Sequence, residues 1–152
     1  MEFSNPERAL LRAVQSDASA SLAELAGRVG MAQSTVWRKL QDFDAAGLVR
    51  RRVALVDPAK AGAKLCVFAQ VTLESHAEAT VAGFARMVAL HPEIMECHAI
   101  SGTADYILKI RVADVEAYEQ FMSANLLRSQ HVRTVVSSFS LREIKYTTEV
   151  PL

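Results

Sequence analysis

Residues 21–41 read SLAELAGRVGMAQSTVWRKLQ, and this stretch decides the fold of the first third of the chain. Leu22, Leu25, Ala26 and Val29 recur at helical spacing. Ser21, with Glu24 three residues on, makes a capping box that starts this helix. Gly30 supplies a tight turn, and Val36, Leu40 and Phe43 then repeat the helical spacing. Two short helices joined by a Gly turn predict a helix-turn-helix, whose second helix enters the DNA major groove. The outer face of that second helix carries Gln33, Ser34, Thr35, Arg38 and Gln41, with Trp37 at its edge. These side chains suit base edges and phosphates. A plain helical hairpin with a solvated face is the alternative. Such a face carries Glu–Lys pairs, which this one lacks before Asp42 and Asp44.

Upstream, Asn5, Pro6 and Glu7 read as an N-cap, a first-turn Pro and an acidic first turn. The helix they open offers Ala9, Leu10, Ala13 and Val14 as the third side of the core. Downstream, Leu48 and Val49 lead into Arg50, Arg51 and Arg52, then into the apolar run at 53–56. The pattern predicts a strand, a reversal and a second strand. That is a wing, with Arg50 and Arg51 laid along the phosphate backbone. Residues 57–62, DPAKAG, break the pattern and serve as a linker.

Composition fits a small regulator. Of 152 residues, 51% are hydrophobic, enough for a core in one domain or two small ones. No apolar run approaches the length of a membrane span, and no secretory signal is visible at the N-terminus. Cys66 and Cys97, at unrelated spacing, point to a reduced cytoplasmic chain. Net charge is zero, but residues 1–62 hold nine Lys and Arg against seven Asp and Glu. So small an excess gives a single copy little phosphate affinity, so pairing of two copies on one duplex is expected.

After residue 63 the periodicity changes. Residues 64–74 read as a buried strand, and 77–90 as a helix with Val81, Phe84, Ala85 and Val88 on one face. Residues 94–100 and 105–112 read as two paired strands around a turn at 101–104. Asp114 caps a second helix bearing Val115, Tyr118, Phe121 and Met122. Residues 132–145 read as a long last strand alternating around Phe139, Leu141 and Ile144. The order βαββαβ is the split βαβ, ferredoxin-like arrangement. The fold class is therefore α+β, with a winged helix-turn-helix at 1–56, a linker at 57–63 and a ferredoxin-like domain at 64–152. Its two helices cover one sheet face, and an apolar second face calls for another subunit.

The segments LAELAGRVGMAQSTVWRKLQDFDAAGLV, PEIMECHAISGTADYILKIRVADVEAYEQF and SSFSLREIKYTTEVPL together resemble the Lrp/AsnC (leucine-responsive, feast/famine) family of transcriptional regulators. The resemblance runs over nearly the whole chain. It implies a sequence-specific DNA-binding regulator that forms homodimers, often octamers, through the second domain. It also implies an amino-acid effector bound between dimers. The family's effector loop usually reads Gly-Asp-x-Asp; here it reads Gly102, Thr103, Ala104, Asp105. Asp105 would pair with an ammonium, and N–H groups around Gly102 and Thr103 would hold a carboxylate. Val115, Ser137, Ser138 and Ser140 are further effector-site candidates from the same resemblance. Thr103, with Ala104, Val115 and Phe139 expected nearby, favours an effector with an uncharged side chain. A simple turn, with Asp105 bonding its own backbone, is the structural alternative. Two departures from the family pattern stand out. Ala32 occupies the usual capping position, so Gln33 or Ser34 would cap a later helix start. His131 stands where Gly is common before the last strand.

No cofactor, catalytic or metal set is expected. Glu96 and His98 share a strand face while Cys97 points away, and two ligands do not make a zinc site. His76 and His91 read as solvated helix-end residues. Two rival functions share this architecture. One is a tetrapyrrole-binding decarboxylase-like enzyme, which a coloured, tetrapyrrole-loaded protein would reveal. The other is an architectural protein that coats DNA without defined operators, which footprinting would separate.

Overall fold

A computed structural model describes residues 2–152, and the chain divides into two compact units. The first holds the residues up to Leu55 together with Ile144–Leu152; the second is Val56–Glu143.

Three helices build the first unit: α1 (Asn5–Ser16), α2 (Leu22–Val29) and α3 (Gln33–Ala45). Capping boxes start two of them. Ser21 and Glu24 bond reciprocally at α2, and Ser4 and Glu7 do the same at α1. The N-cap of α1 is thus Ser4 rather than Asn5, because Glu7 lies three residues beyond Ser4 and can reach back to its N–H at 2.9 Å. Gly30 ends α2 in the left-handed conformation at φ 67°, which only Gly adopts freely. Leu10, Leu11, Val14, Leu25, Ala26, Val36 and Phe43 form the core.

The C-terminal segment joins this unit instead of extending the last strand. The side-chain amide of Gln15 donates to the Val150 carbonyl at 3.2 Å and accepts from the Val150 N–H at 2.6 Å. Arg12 donates to the Leu152 carbonyl, and Leu152 packs against the core cluster. Residues 144–152, expected as the end of the second domain, therefore belong spatially to the first.

The second unit is β1 (Leu65–Leu73), α4 (Glu78–Leu90), β2 (Ile94–Ala99), β3 (Tyr106–Val112), α5 (Val115–Phe121) with a π-helical turn at Met122–Leu126, and β4 (Val132–Phe139). The sheet order is β2-β3-β1-β4 with every pair antiparallel, as the βαββαβ order requires. Val67, Ala69, Val71 and Leu73 of β1 and Leu108, Ile110 and Val112 of β3 face the helices, where Phe84, Tyr118 and Phe121 close the core. Asp114 caps α5 through the Ala117 N–H, as expected.

Two expectations fail here for identifiable reasons. The last strand ends at Phe139 and not Lys145. Past Phe139 only the Ser140 N–H still bonds β1, at the Cys66 carbonyl, and Leu141 and Ile144 stand 98% and 79% exposed instead of lining a strand face. The second sheet face is amphipathic rather than apolar. It shows Phe68, Ile107 and Val136 interleaved with Gln70, Lys109, Arg111 and Ser138.

His131 has an ordinary backbone, since no residue other than Gly takes a positive φ among those described. The tip of its ring abuts α4 at Gly83. A Cβ there would sit 2.2 Å from Nε2 and 2.4 Å from Cε1 of His131. Ala in a helix gains about 1 kcal/mol over Gly, while overpacking costs about 1–3 kcal/mol. Because three atoms of a half-buried ring lie within 2.8 Å of that position, the clash wins. Gly83→Ala is expected to destabilise the second unit in a denaturant melt, and adding His131→Ala to restore it. A single variant as stable as the parent would contradict this packing.

Candidate functional site

The face of α3 follows from its core. Val36 is fully buried, so Gln33, Ser34, Trp37, Arg38 and Gln41 are turned outward and exposed, with Thr35 at the margin. Trp37 is 55% exposed, an unusual state for so large an apolar ring. Ala32 is the N-cap and makes no side-chain bond; neither Gln33 nor Ser34 takes over, and the helix start does not shift. Both lie inside the first turn and make no capping bond.

The cations around this face fall into two sets. Lys39 is drawn back to Glu7 at 2.6 Å, which ties α3 to α1. Its hydrogen bond, with those from Ser4, holds the Glu7 carboxyl down at about 2. Arg28 pairs with Asp17 at 3.3 Å, and Arg52 with Asp44 at 3.2 Å. Arg38, Arg50 and Arg51 are exposed and make no ion pair among the described residues. The expected wing is not formed. Residues 48–56 contain no strand, because the Arg run supplies neither a turn residue nor a pairing partner. Arg50 and Arg51 sit on an extended, unpaired segment, followed by exposed Val53, Leu55 and Val56.

In the second unit, the turn between β2 and β3 exposes Ser101, Gly102 and Thr103 and buries Ala104. Gly102 takes φ 126°, open to Gly alone. Asp105 closes the turn and does more than a local turn residue. Its N–H donates to the Val71 carbonyl at 3.0 Å, and its carbonyl accepts from the Ile100 N–H at 2.9 Å. Its Oδ2 accepts from the Leu73 N–H at 2.7 Å, one rung beyond the β1–β3 ladder. Its Oδ1 lies 3.6 Å from Nε2 of His76. The sequence reading of His76 as a solvated helix-end residue missed its approach to Asp105. The signal was topological: when β1 and β3 are antiparallel neighbours, the residues after β1 meet those before β3.

The other effector candidates lie elsewhere. Ser138 pairs with Phe68, and the Ser140 N–H donates to the Cys66 carbonyl, both toward the far end of β1. Val115 is 60% exposed and follows Val112, the opposite end of β3 from Asp105. Seven strand residues separate the two ends, about 20 Å. Phe139 lies at that far end too, so neither it nor Val115 adjoins the turn within one chain. Ser137 faces the helices, with its Oγ 2.5 Å from the Tyr118 hydroxyl. Burial pushes the Tyr118 phenol up, so it stays a neutral partner.

Glu96 is engaged by Lys109 at 2.8 Å and by His98 at 3.4 Å, and the Lys109 bond chiefly lowers its carboxyl. No helix among the described residues is long and apolar enough to cross a membrane.

Comparison with known proteins agrees with both units. Residues 7–42 match the AsnC-type helix-turn-helix domain, and residues 66–150 match the Lrp/AsnC ligand binding domain. The glutamate uptake regulatory protein of Zymomonas mobilis is 32% identical, over 94% of this chain and 87% of its own length. The DNA-binding transcriptional activator DecR of Escherichia coli is 31% identical over 96% of both chains. A transcriptional regulator of Neisseria meningitidis, solved as an L-Met complex, superposes with a TM-score of 0.95 at 31% identity, covering 99% of this chain and 97% of its own. With a helix-turn-helix in one unit and the matching ligand-binding domain in the other, the chain belongs to the Lrp/AsnC family of DNA-binding transcriptional regulators.

Proposed function

We propose that this regulator reads operators through α3 and the Arg50–Arg51 segment, as an assembly of two or more copies, under control of an α-amino acid with an uncharged side chain. It is read as a cytoplasmic regulator because DNA is its partner, and not as an enzyme. The observation that carries the DNA reading is the sorting of cations. Lys39, Arg28 and Arg52 are neutralised within the unit, while Arg38, Arg50 and Arg51 are left for phosphates or bases. Direct base contacts are worth about 1–3 kcal/mol of discrimination. Arg38→Ala is expected to weaken operator binding more than binding to random DNA. Arg51→Ala is expected to weaken both alike and to lower the salt slope by about one. A gel-shift titration over several salt concentrations measures both, and unchanged operator affinity in Arg38→Ala would remove α3 from its role.

An assembly is supported by the placement of the effector candidates. The turn at 101–105 and the set Val115, Ser138 and Ser140 occupy opposite ends of the sheet, so a site using both sets draws them from different copies. The open sheet face, with Phe68 and Val136 39% and 61% exposed, offers a self-complementary surface for a homodimer, and dimers can build an octamer. Light scattering on the full chain at micromolar concentration is expected to give at least a dimer, and Val136→Lys to lower the mass. A monomeric parent protein would sink the assembly.

The amino-acid reading rests on Asp105 and the exposed turn around Gly102, which offer a carboxylate and backbone N–H groups to a zwitterion. The Neisseria relative's complex with L-Met supports an apolar side chain. Thr103, in place of a carboxylate, gives a basic side chain nothing to pair with. Asp105→Asn keeps an oxygen for the Leu73 N–H but loses the charge. Calorimetry with L-Met is expected to show binding to the parent and at least tenfold weaker binding to this variant. Equal affinity would put the site elsewhere.

A further inference from the structure

We propose that His76 is a gate on the effector site: its imidazole stands at the one free oxygen of Asp105, in the place an effector's ammonium takes. The inference rests on reading residues 101–105 as an amino-acid site. The two oxygens of Asp105 are unequally engaged. Oδ2 is committed to the Leu73 N–H at 2.7 Å and holds the end of the ladder together. Oδ1 faces His76 Nε2 at 3.6 Å, beyond a hydrogen bond but within ion-pair range.

The two partners differ in mobility. The Asp105 side chain is 22% exposed, and its backbone is bonded on both sides. The His76 side chain is 78% exposed. Its backbone is held by its neighbours, because Ser75 Oγ meets Thr80 Oγ1 at 2.9 Å and accepts from the Ala77 N–H at 3.4 Å. The ring can swing away on its side-chain torsions while the carboxylate stays. Glu74 at the end of β1, Glu78 opening α4, and His131 and Arg133 where β4 starts beside β1 are the other titratable and charged groups on the flanking elements. Among the described residues, Asp105 alone brings an acidic oxygen within 4.0 Å of the His76 ring nitrogens.

Imidazole changes charge within the physiological pH range. As a cation it competes with an ammonium for Oδ1; as a neutral ring it does not. Effector affinity is therefore lower where the ring is charged. An ion pair this exposed is weak, so the effect is about two- to fivefold.

The test uses the full chain with L-Met as the probe, titrated calorimetrically at pH 6 and pH 8. The parent protein is expected to bind about two- to fivefold more weakly at pH 6, and His76→Gln to bind equally at both. Equal affinity of the parent at the two pH values, or a pH dependence that survives in His76→Gln, overturns the gate while leaving the effector site standing. A second arm needs no effector. The His76 ring resonances, assigned by their loss in His76→Gln, are expected to move in Asp105→Asn, and unmoved resonances overturn the pairing. If neither the parent nor His76→Ala binds L-Met or any other of the twenty amino acids in a thermal-shift screen, the effector reading falls and the gate with it.

Discussion

One residue, Asp105, ties the ends of three strands together, twice through its backbone and once through its carboxylate. Asp105 bonds β1 twice and the end of β2 once, so the start of β3 cannot shift without breaking all three bonds. In a sheet whose side chains alternate between faces, a slip of one residue would turn Leu108 and Ile110 outward. The same residue faces solvent on one side, where the turn at Gly102 opens. A backbone tie and a charge beside the open turn thus meet on a single side chain. That coincidence explains why an acid fits this place, where a neutral residue could make the same backbone bonds but offer no charge.

The legible parts of the sequence were those governed by local rules. The Ser21–Glu24 box, Gly30 and the 3.6-residue apolar spacing are short-range signals, and each produced the element it predicted. The βαββαβ order fixed the strand arrangement because antiparallel neighbours and short connections leave few alternatives. The errors arose where a partner decides the outcome. An apolar run at 53–56 becomes a strand only when another strand lies beside it. Alternation at 140–145 has the right period but no ladder to join. The capping of α1 was misread by one residue because Asn5 and Ser4 are both good caps, and only Glu7's reach separates them.

The site was legible in part for the same reason. The outward residues of α3 follow from periodicity once Val36 and Phe43 are taken as core. Which Arg and Lys are free does not follow, since each pairing joins residues from different elements or distant positions: Glu7 with Lys39, Asp17 with Arg28, Asp44 with Arg52. Likewise, resemblance named Asp105 and Ser138 without their positions, and only the strand register sets them at different heights on the sheet of one chain.

The return of residues 144–152 to α1 makes the first unit discontinuous in the chain. All three of its helices emerge from the ribosome before the second unit, and the segment that packs onto them emerges after it. At synthesis rates of about 5–20 residues per second, the helix-turn-helix waits on the order of ten seconds for its final piece. During that interval the Gln15 amide and Arg12 have no backbone to bind. Until residues 144–152 emerge, α1 lacks these bonds and the three-helix core lacks the packing of Leu152.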